Sequence, residues 1–219
     1  MYIQLNNQVL FYEKTGESGP EVLLLHGNGE THEIFDELTQ KLSIDHQVIT
    51  MDSRGHGLSA SPGELHYTDM ASDVINLISE LEMDKPLIVG FSDGAIVAMI
   101  AAIQKPDIAS GLILCGGNLT PKGLKRKALH EIKKEHKKHP SALTALMLNE
   151  PNISEDSLAR IPVNTLVLAG QHDMIREKET KLIAACIPKG RYEILPGEDH
   201  GSYVEHSTKL LPYIYRFTK

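Results

Sequence analysis

Short, unbroken apolar runs alternate along this chain with longer stretches whose apolar residues recur every three or four positions. The runs at 21–27 (EVLLLHG), 46–52 (HQVITMD), 86–90 (PLIVG), 111–117 (GLILCGG), 164–170 (NTLVLAG) and 191–197 (RYEILPG) each close on glycine or a polar residue. Such runs read as strands buried on both faces, the form strands take in a parallel sheet. Ahead of them, 3–5 (IQL) and 9–13 (VLFYE) read as a hairpin turning at Asn6-Asn7. The other rhythm predicts helices over 31–42, 67–81, 95–104, 177–187 and 203–217. In 67–81, Met70, Val74, Leu77, Ile78 and Leu81 fall on one side.

Strands alternating with helices define an α/β class: a mostly parallel, twisted sheet of about eight strands, helices on both faces and an antiparallel hairpin leading. No repeat, low-complexity tract or Pro/Gly/Ser linker divides residues 1–219, so one domain is expected. In such sheets the loops leaving the C-terminal ends of the strands converge on the ligand site. The polar residues just after each strand therefore carry the functional information.

Composition narrows the class. With 41% hydrophobic and 23% charged residues, the chain has the balance of a soluble protein with a core. A formal charge of −7 argues against general nucleic-acid binding, which needs a basic surface. No apolar run approaches the roughly 18 residues of a membrane span, so no membrane partner is expected. The start, MYIQLNNQVLFYEK, lacks the features of a secretory leader, and the expected location is cytoplasmic. Cys115 and Cys186 have no metal or redox spacing and read as two buried, reduced thiols. One segment departs from the acidic average: 122–138 carries eight Lys/Arg against two Glu, a local +6 that leaves −13 on the rest.

Read only at strand ends, the chain offers His26-Gly27-Asn28-Gly29, Asp52-Ser53-Arg54-Gly55-His56-Gly57, Phe91-Ser92-Asp93-Gly94, Gly170-Gln171-His172-Asp173 and Gly197-Glu198-Asp199-His200-Gly201. A serine, an acid and a histidine stand at separate ends in that order. GFSDG matches the nucleophile-elbow pattern G-x-S-x-G, HGNG resembles an oxyanion loop, and DSRGHGLS resembles a D-x-R-G-x-G-x-S segment. On these motifs the chain resembles the α/β-hydrolase fold family over nearly its whole length, with only about 118–160 outside the likeness.

The resemblance implies roles. Ser92 would be the nucleophile, His200 its general base and Asp173 the acid that orients the imidazole. The backbone N–H groups of Asn28 and Asp93 would form the oxyanion hole. Glycines at 90 and 94 would let strand and helix approach closely around a strained serine. Asp52 and Arg54 are expected to form an ion pair beneath the site, with His56 in a similar supporting place. The S-D-G run is similar to that of valacyclovir hydrolase-type members, in which the aspartate is thought to receive the substrate's amino group. Phe91 and Ala95 depart from that pattern, so for Asp93 this is a hypothesis beside the plainer one of an acid at a helix N-terminus.

Residues 118–160 fall where this fold carries a cap, and they predict a short lid. A helix over 121–138 would turn Leu124, Ala128, Leu129 and Ile132 inward and its lysines outward; a second spans 142–148. His136 and His139 read as solvated. Leu119, Met147, Met174 and Ile175 are the expected substrate-binding lining of a small or open pocket. The function these residues imply is a cofactor-free, metal-free serine hydrolase, monomer or homodimer, acting on a small carboxylic ester or thioester. The same triad would serve a C–C bond hydrolase or a perhydrolase, and a slow-turnover ligand receptor is the alternative from another class.

Overall fold

The computed structural model describes residues 1–5 and 7–219; Asn6, half of the expected hairpin turn, lies outside the described residues. Its strands are β1 (Tyr2–Leu5), β2 (Gln8–Thr15), β3 (Glu21–Leu25), β4 (Gln47–Met51), β5 (Leu87–Phe91), β6 (Gly111–Cys115), β7 (Asn164–Gly170) and β8 (Gly190–Leu195). They form one sheet in the order β1-β2-β4-β3-β5-β6-β7-β8. β1 and β2 run antiparallel to their neighbours, and from β4 to β8 every pairing is parallel.

Alternation along the strands sorts side chains between two cores. In β3, Leu23 and Leu25 face one cluster while Val22 and Leu24 face the other. The first cluster is closed by α2 (Tyr67–Glu80), α3 (Asp93–Gln104) and α7 (Glu177–Cys186), through residues such as Val74, Ile96 and Ile183. The second is closed by Leu38 and Leu42 of α1 (Asp36–Leu42) and Ile214 of α8 (Leu211–Thr218). Covered on both faces, the central strands can be apolar throughout, as Leu87–Phe91 and Gly111–Cys115 are. No helix among the described residues is long and apolar enough to cross a membrane.

Three helices differ from expectation. The stretch 31–42 divides into a 3-10 turn, His32–Phe35, and α1. The last helix begins at 211 rather than 203, because Pro212 is confined to a first turn and His206, at φ 45°, ends the turn before it. The helix expected over 121–138 begins at 126 rather than 121. Leu124 and Lys125 are extended there, since Leu124 bridges Ile175 and the Lys125 N–H donates to the Met174 carbonyl at 2.8 Å. That helix is thus α4 (Arg126–Lys138), followed by α5 (Ala142–Asn149) and a short α6 (Glu155–Leu158) absent from the sequence reading. Cys115 is buried as expected, but Cys186, at the end of α7, is only half-buried.

Candidate active site

The turn between β5 and α3 is tightly constrained. Ser92 adopts φ 50° and ψ −111°, outside the regions that residues with a Cβ ordinarily occupy. The flanking glycines make the turn possible. A Cβ at 90 would strike the Gly94 carbonyl, and one at 94 would strike the Leu25 carbonyl of β3. Spacing in GFSDG is therefore a steric requirement, and it seats the start of α3 against the strand tips.

Ser92 is joined there by both residues expected to accompany it. His200 Nε2 lies 3.1 Å from Ser92 Oγ, and His200 Nδ1 lies 2.7 Å from Asp173 Oδ1. The buried Asp173 carboxylate also accepts the Ile175 N–H at 2.8 Å and the Gly170 N–H at 3.3 Å, which fixes its plane. An ionised carboxylate only accepts, so Nδ1 carries the imidazole proton and Nε2 is left to accept from the serine hydroxyl. Beneath the imidazole lies Gly116, at φ 62°; a Cβ there would stand 2.7 Å from His200 Cε1. The Phe91 ring packs on the imidazole at 5.0 Å between centroids. Gly116 escaped the sequence reading, although the doubled glycine closing GLILCGG was its one visible sign.

The N–H groups of Asn28 and Asp93 have no hydrogen-bond partner among the described residues. At Asp93 this follows from its place in the first turn of α3. At Asn28 it follows from what surrounds the peptide. The Ser53 N–H donates to His26 Nε2 at 2.9 Å, so His26 Nδ1 carries a hydrogen and donates to the Gly27 carbonyl at 2.7 Å. Across a trans peptide, holding that carbonyl aims the Asn28 N–H the opposite way. Burial, with His56 nearby, lowers the His26 pKa to about 4, so the ring stays neutral in this role near neutral pH. The Gly27 N–H is taken by Glu30 Oε2 at 2.8 Å. Burial, helped by Glu205, raises the Glu30 carboxyl pKa to about 7, beside Ser92 and His200. Neither His26 nor Glu30 was singled out from sequence.

The Asp93 side chain bonds to residues other than Ser92 and His200. It is 6% exposed, and its two oxygens accept the Tyr67 hydroxyl at 2.7 Å and Asn28 Nδ2 at 2.9 Å. Burial pushes this carboxyl up, and the two donors pull it down. A substrate ammonium would have to displace one of them, so the amino-group hypothesis finds no free carboxylate here.

Other expectations change as well. Arg54 does not pair with Asp52; it forks onto Asp73 of α2 at 2.7 Å through Nε and 2.7 Å through Nη2. Asp52 instead accepts the His32 N–H and ring at 2.8 and 2.7 Å and the Leu58 N–H at 2.9 Å. The planar guanidinium finds a matching carboxylate on the helix above, while Asp52 turns inward to order two loops. His56 is buried, with Nδ1 3.1 Å from the Arg54 carbonyl. Of the four expected lining residues, Leu119 belongs to the core, Ile175 is buried against Leu124, Met147 is half-buried on α5, and Met174 is 40% exposed. His136 is half-buried, its Nδ1 2.7 Å from Thr144 Oγ1, and joins α4 to α5 rather than standing in solvent. Among the described residues, no group of three or more His, Cys, Asp or Glu side chains is arranged to hold a metal ion.

The fold and this strand-end constellation define an α/β hydrolase, and comparison with known proteins agrees. A family model for the alpha/beta hydrolase fold matches residues 20–137, and the chain belongs to that family. It is 34% identical to the human Serine hydrolase BPHL over 125 residues, which cover 53% of this chain and 42% of that protein's length. It is 26% identical to the Pimeloyl-[acyl-carrier protein] methyl ester esterase of Aliivibrio salmonicida, over 92% of this chain and 86% of that one. Among solved structures, an esterase from Exiguobacterium antarcticum superposes with a TM-score of 0.85 at 21% identity, over 99% and 98% of the two chains.

Proposed function

We propose that this protein is a serine hydrolase that cleaves a small carboxylic ester or thioester through an acyl-Ser92 intermediate. The observation that carries the reading is the relay from Asp173 through His200 to Ser92, at 2.7 and 3.1 Å, on an elbow whose backbone is strained at the serine. His200 Nε2 takes the hydroxyl proton as Ser92 Oγ attacks the acyl carbon, and the carbonyl oxygen gains the displaced electron pair. The Asn28 and Asp93 N–H groups donate to that oxygen, each worth about 3 kcal/mol by analogy with measured donors. The intermediate then collapses, and the leaving alcohol departs with the proton held by His200. Water, deprotonated by the same nitrogen, releases the acid and restores Ser92.

The size of the substrate follows from the cover. We take residues 118–160 as a short lid on a single domain. Its root is pinned to the loop that carries Asp173: the Arg176 N–H and Nε donate to the Gly123 and Leu124 carbonyls, each at 2.9 Å, and the Leu119 N–H donates to Glu179 Oε1 at 2.9 Å. A lid fixed so close to the acid leaves room for a compact acyl group.

A panel of chromogenic esters of increasing acyl length, run with the native protein and with Ser92→Ala, tests the reading. The native protein should turn over short esters best, and Ser92→Ala should lose at least about 10⁴-fold in kcat. Activity that survives in Ser92→Ala would end the acyl-serine mechanism.

A further inference from the structure

The two candidate oxyanion donors sit on different elements, one on the loop after β3 and the other at the head of α3. For both amides to reach one oxygen, the loop and the helix must keep a fixed separation, within about 0.5 Å for a preorganised site. One hydrogen bond spans them directly: Asn28 Nδ2 to Asp93 Oδ2, at 2.9 Å. The side chains of the two residues that supply the amides are therefore bonded to each other.

We propose that the Asp93 carboxylate is a positioning residue that sets the separation of the Asn28 and Asp93 amides by holding the Asn28 carboxamide. The proposal rests on the acyl-serine reading above. Three features make the carboxylate rigid enough for the task. Its backbone is fixed by the elbow, where the neighbouring Ser92 N–H donates to the Cys115 carbonyl at 2.7 Å. Its other oxygen is tied to α2 through the Tyr67 hydroxyl at 2.7 Å. Its burial means that no water competes for either oxygen, and in a medium of low dielectric such bonds hold harder than at a surface.

The network continues into the lid. Asn28 Nδ2 also reaches the Leu143 carbonyl of α5 at 3.4 Å, and Glu150, at the end of α5, accepts the Tyr67 N–H at 3.0 Å. Asn28 and Tyr67 each touch Asp93 on one side and the lid segment on the other. Both neighbours are donors, and an ionised carboxylate is the side chain that accepts from both without a hydrogen of its own to misplace.

The test uses the full chain and compares Asn28→Ala, Asp93→Ala, Asp93→Asn and Asn28→Ala/Asp93→Ala. Asn28→Ala keeps the backbone amide and removes the tie to Asp93, together with the longer contact to the Leu143 carbonyl. It should lower kcat about 10- to 100-fold with KM within about 3-fold, because a displaced donor is missed mainly in the transition state. Asp93→Asn can still accept from Asn28 and donate to the rotatable Tyr67 hydroxyl, so it should keep at least about 5-fold more kcat than Asp93→Ala. The double variant should fall no lower than the worse single one, since both break one bond. Unchanged kcat in Asn28→Ala, or losses that multiply in the double variant, would overturn the proposal. Hydrogen exchange of the amides at 27–30 is read in parallel, on protein without substrate. It should quicken in Asn28→Ala and Asp93→Ala but not in Asp93→Asn. Unchanged exchange in both alanine variants would overturn the proposal even if the native protein hydrolysed no ester, an outcome that would count separately against the acyl-serine reading.

Discussion

Helices α3 and α4 have nearly the same length, twelve and thirteen residues, and opposite surroundings. α3 reads DGAIVAMIAAIQ, and nine of its residues are buried; α4 reads RKALHEIKKEHKK, and among the described residues none of its side chains is. The first is apolar all round because it lies between the sheet and α2, with its N-terminus carried to Ser92 by the elbow. The second keeps a half-buried stripe of Ala128, Leu129, Ile132 and His136 toward α5 and a lysine face toward water. Position in α3 is dictated by close packing and by backbone geometry. In α4 it is dictated by little more than the stripe, so substitutions in the two helices should differ in cost by several kcal/mol.

Removing matter shows the contrast most strongly. Met99 is fully buried in α3, and Met99→Ala should cost about 3–4 kcal/mol, the range for emptying a tightly packed site. The matching change in α4, Ile132→Ala, should cost about 1 kcal/mol, because a half-buried side chain leaves a dent that solvent fills. Urea unfolding of both variants measures the pair, and equal losses would mean that α4 is packed far more tightly than its exposure indicates.

Adding matter comes next. Gly94→Ala would place a methyl group against the Leu25 carbonyl, a backbone atom that moves only if β3 moves. The expected cost is about 2–3 kcal/mol, with activity falling because the elbow must shift to make room. Elsewhere alanine stabilises a helix relative to glycine by about 1 kcal/mol, so a stabilised Gly94→Ala variant would show that the close approach is not required.

How much of this was legible from residue types follows the same division. Periodicity exposed α3, the parallel strands and the strand-end placement of residues 92, 173 and 200, since each is a local pattern repeated along the chain. The glycines at 90 and 94 were legible because the crowding they relieve lies within one turn of chain. What escaped depends on distance in space. Tyr67 reads as one more apolar residue at the start of a helix, and nothing local reveals that its hydroxyl meets Asp93, 26 positions on. Arg54 was given the wrong partner because Asp52 is its neighbour in sequence, whereas Asp73 is its neighbour across α2. Gly116 is a turn residue until His200, from a loop more than eighty positions later, is laid upon it. The break at 124–125 comes from hydrogen bonds to 174–176, which no pattern inside residues 118–160 could disclose. Pro212 is the exception, a local signal that the apolar rhythm of 203–217 overrode.

Charge repeats the comparison. Near the head of α3, Glu30 is half-buried and its pKa is raised from 4.5 to about 7. In the unfolded chain the proton leaves near 4.5, while the folded chain keeps it to about 7. Across that window the folded state binds more protons, so stability falls as pH rises and levels off above 7. Glu30→Gln cannot titrate and still offers an oxygen to the Gly27 N–H. Relative to native, it should gain about 1–2 kcal/mol between pH 4.5 and 7, after allowance for screening at this partly exposed site. Unfolding midpoints at pH 4, 6 and 8 read the difference, and a constant offset at all three would show that Glu30 titrates normally.

On α4 the same type of change should do almost nothing to the fold. Lys133, Lys134, Lys137 and Lys138 are exposed and crowd one end of the helix. Repulsion at i,i+4 between Lys133 and Lys137, and between Lys134 and Lys138, costs a few tenths of a kcal/mol per pair. Their attraction to the negative C-terminal end of the helix returns a similar amount. Replacing all four by glutamine should therefore change stability by less than about 0.5 kcal/mol, in contrast to a single buried methionine in α3. The effect belongs instead to encounter, because these side chains form much of the positive field on a chain whose remainder is strongly negative. At low salt the variant should lose kcat/KM for an ester bearing a carboxylate and keep it for a neutral ester of the same length, and about 0.5 M salt should erase the difference. A loss shared equally by both esters would mean that the lysines act by holding the lid in place, and α4 would then be more like α3 than its exposure allows.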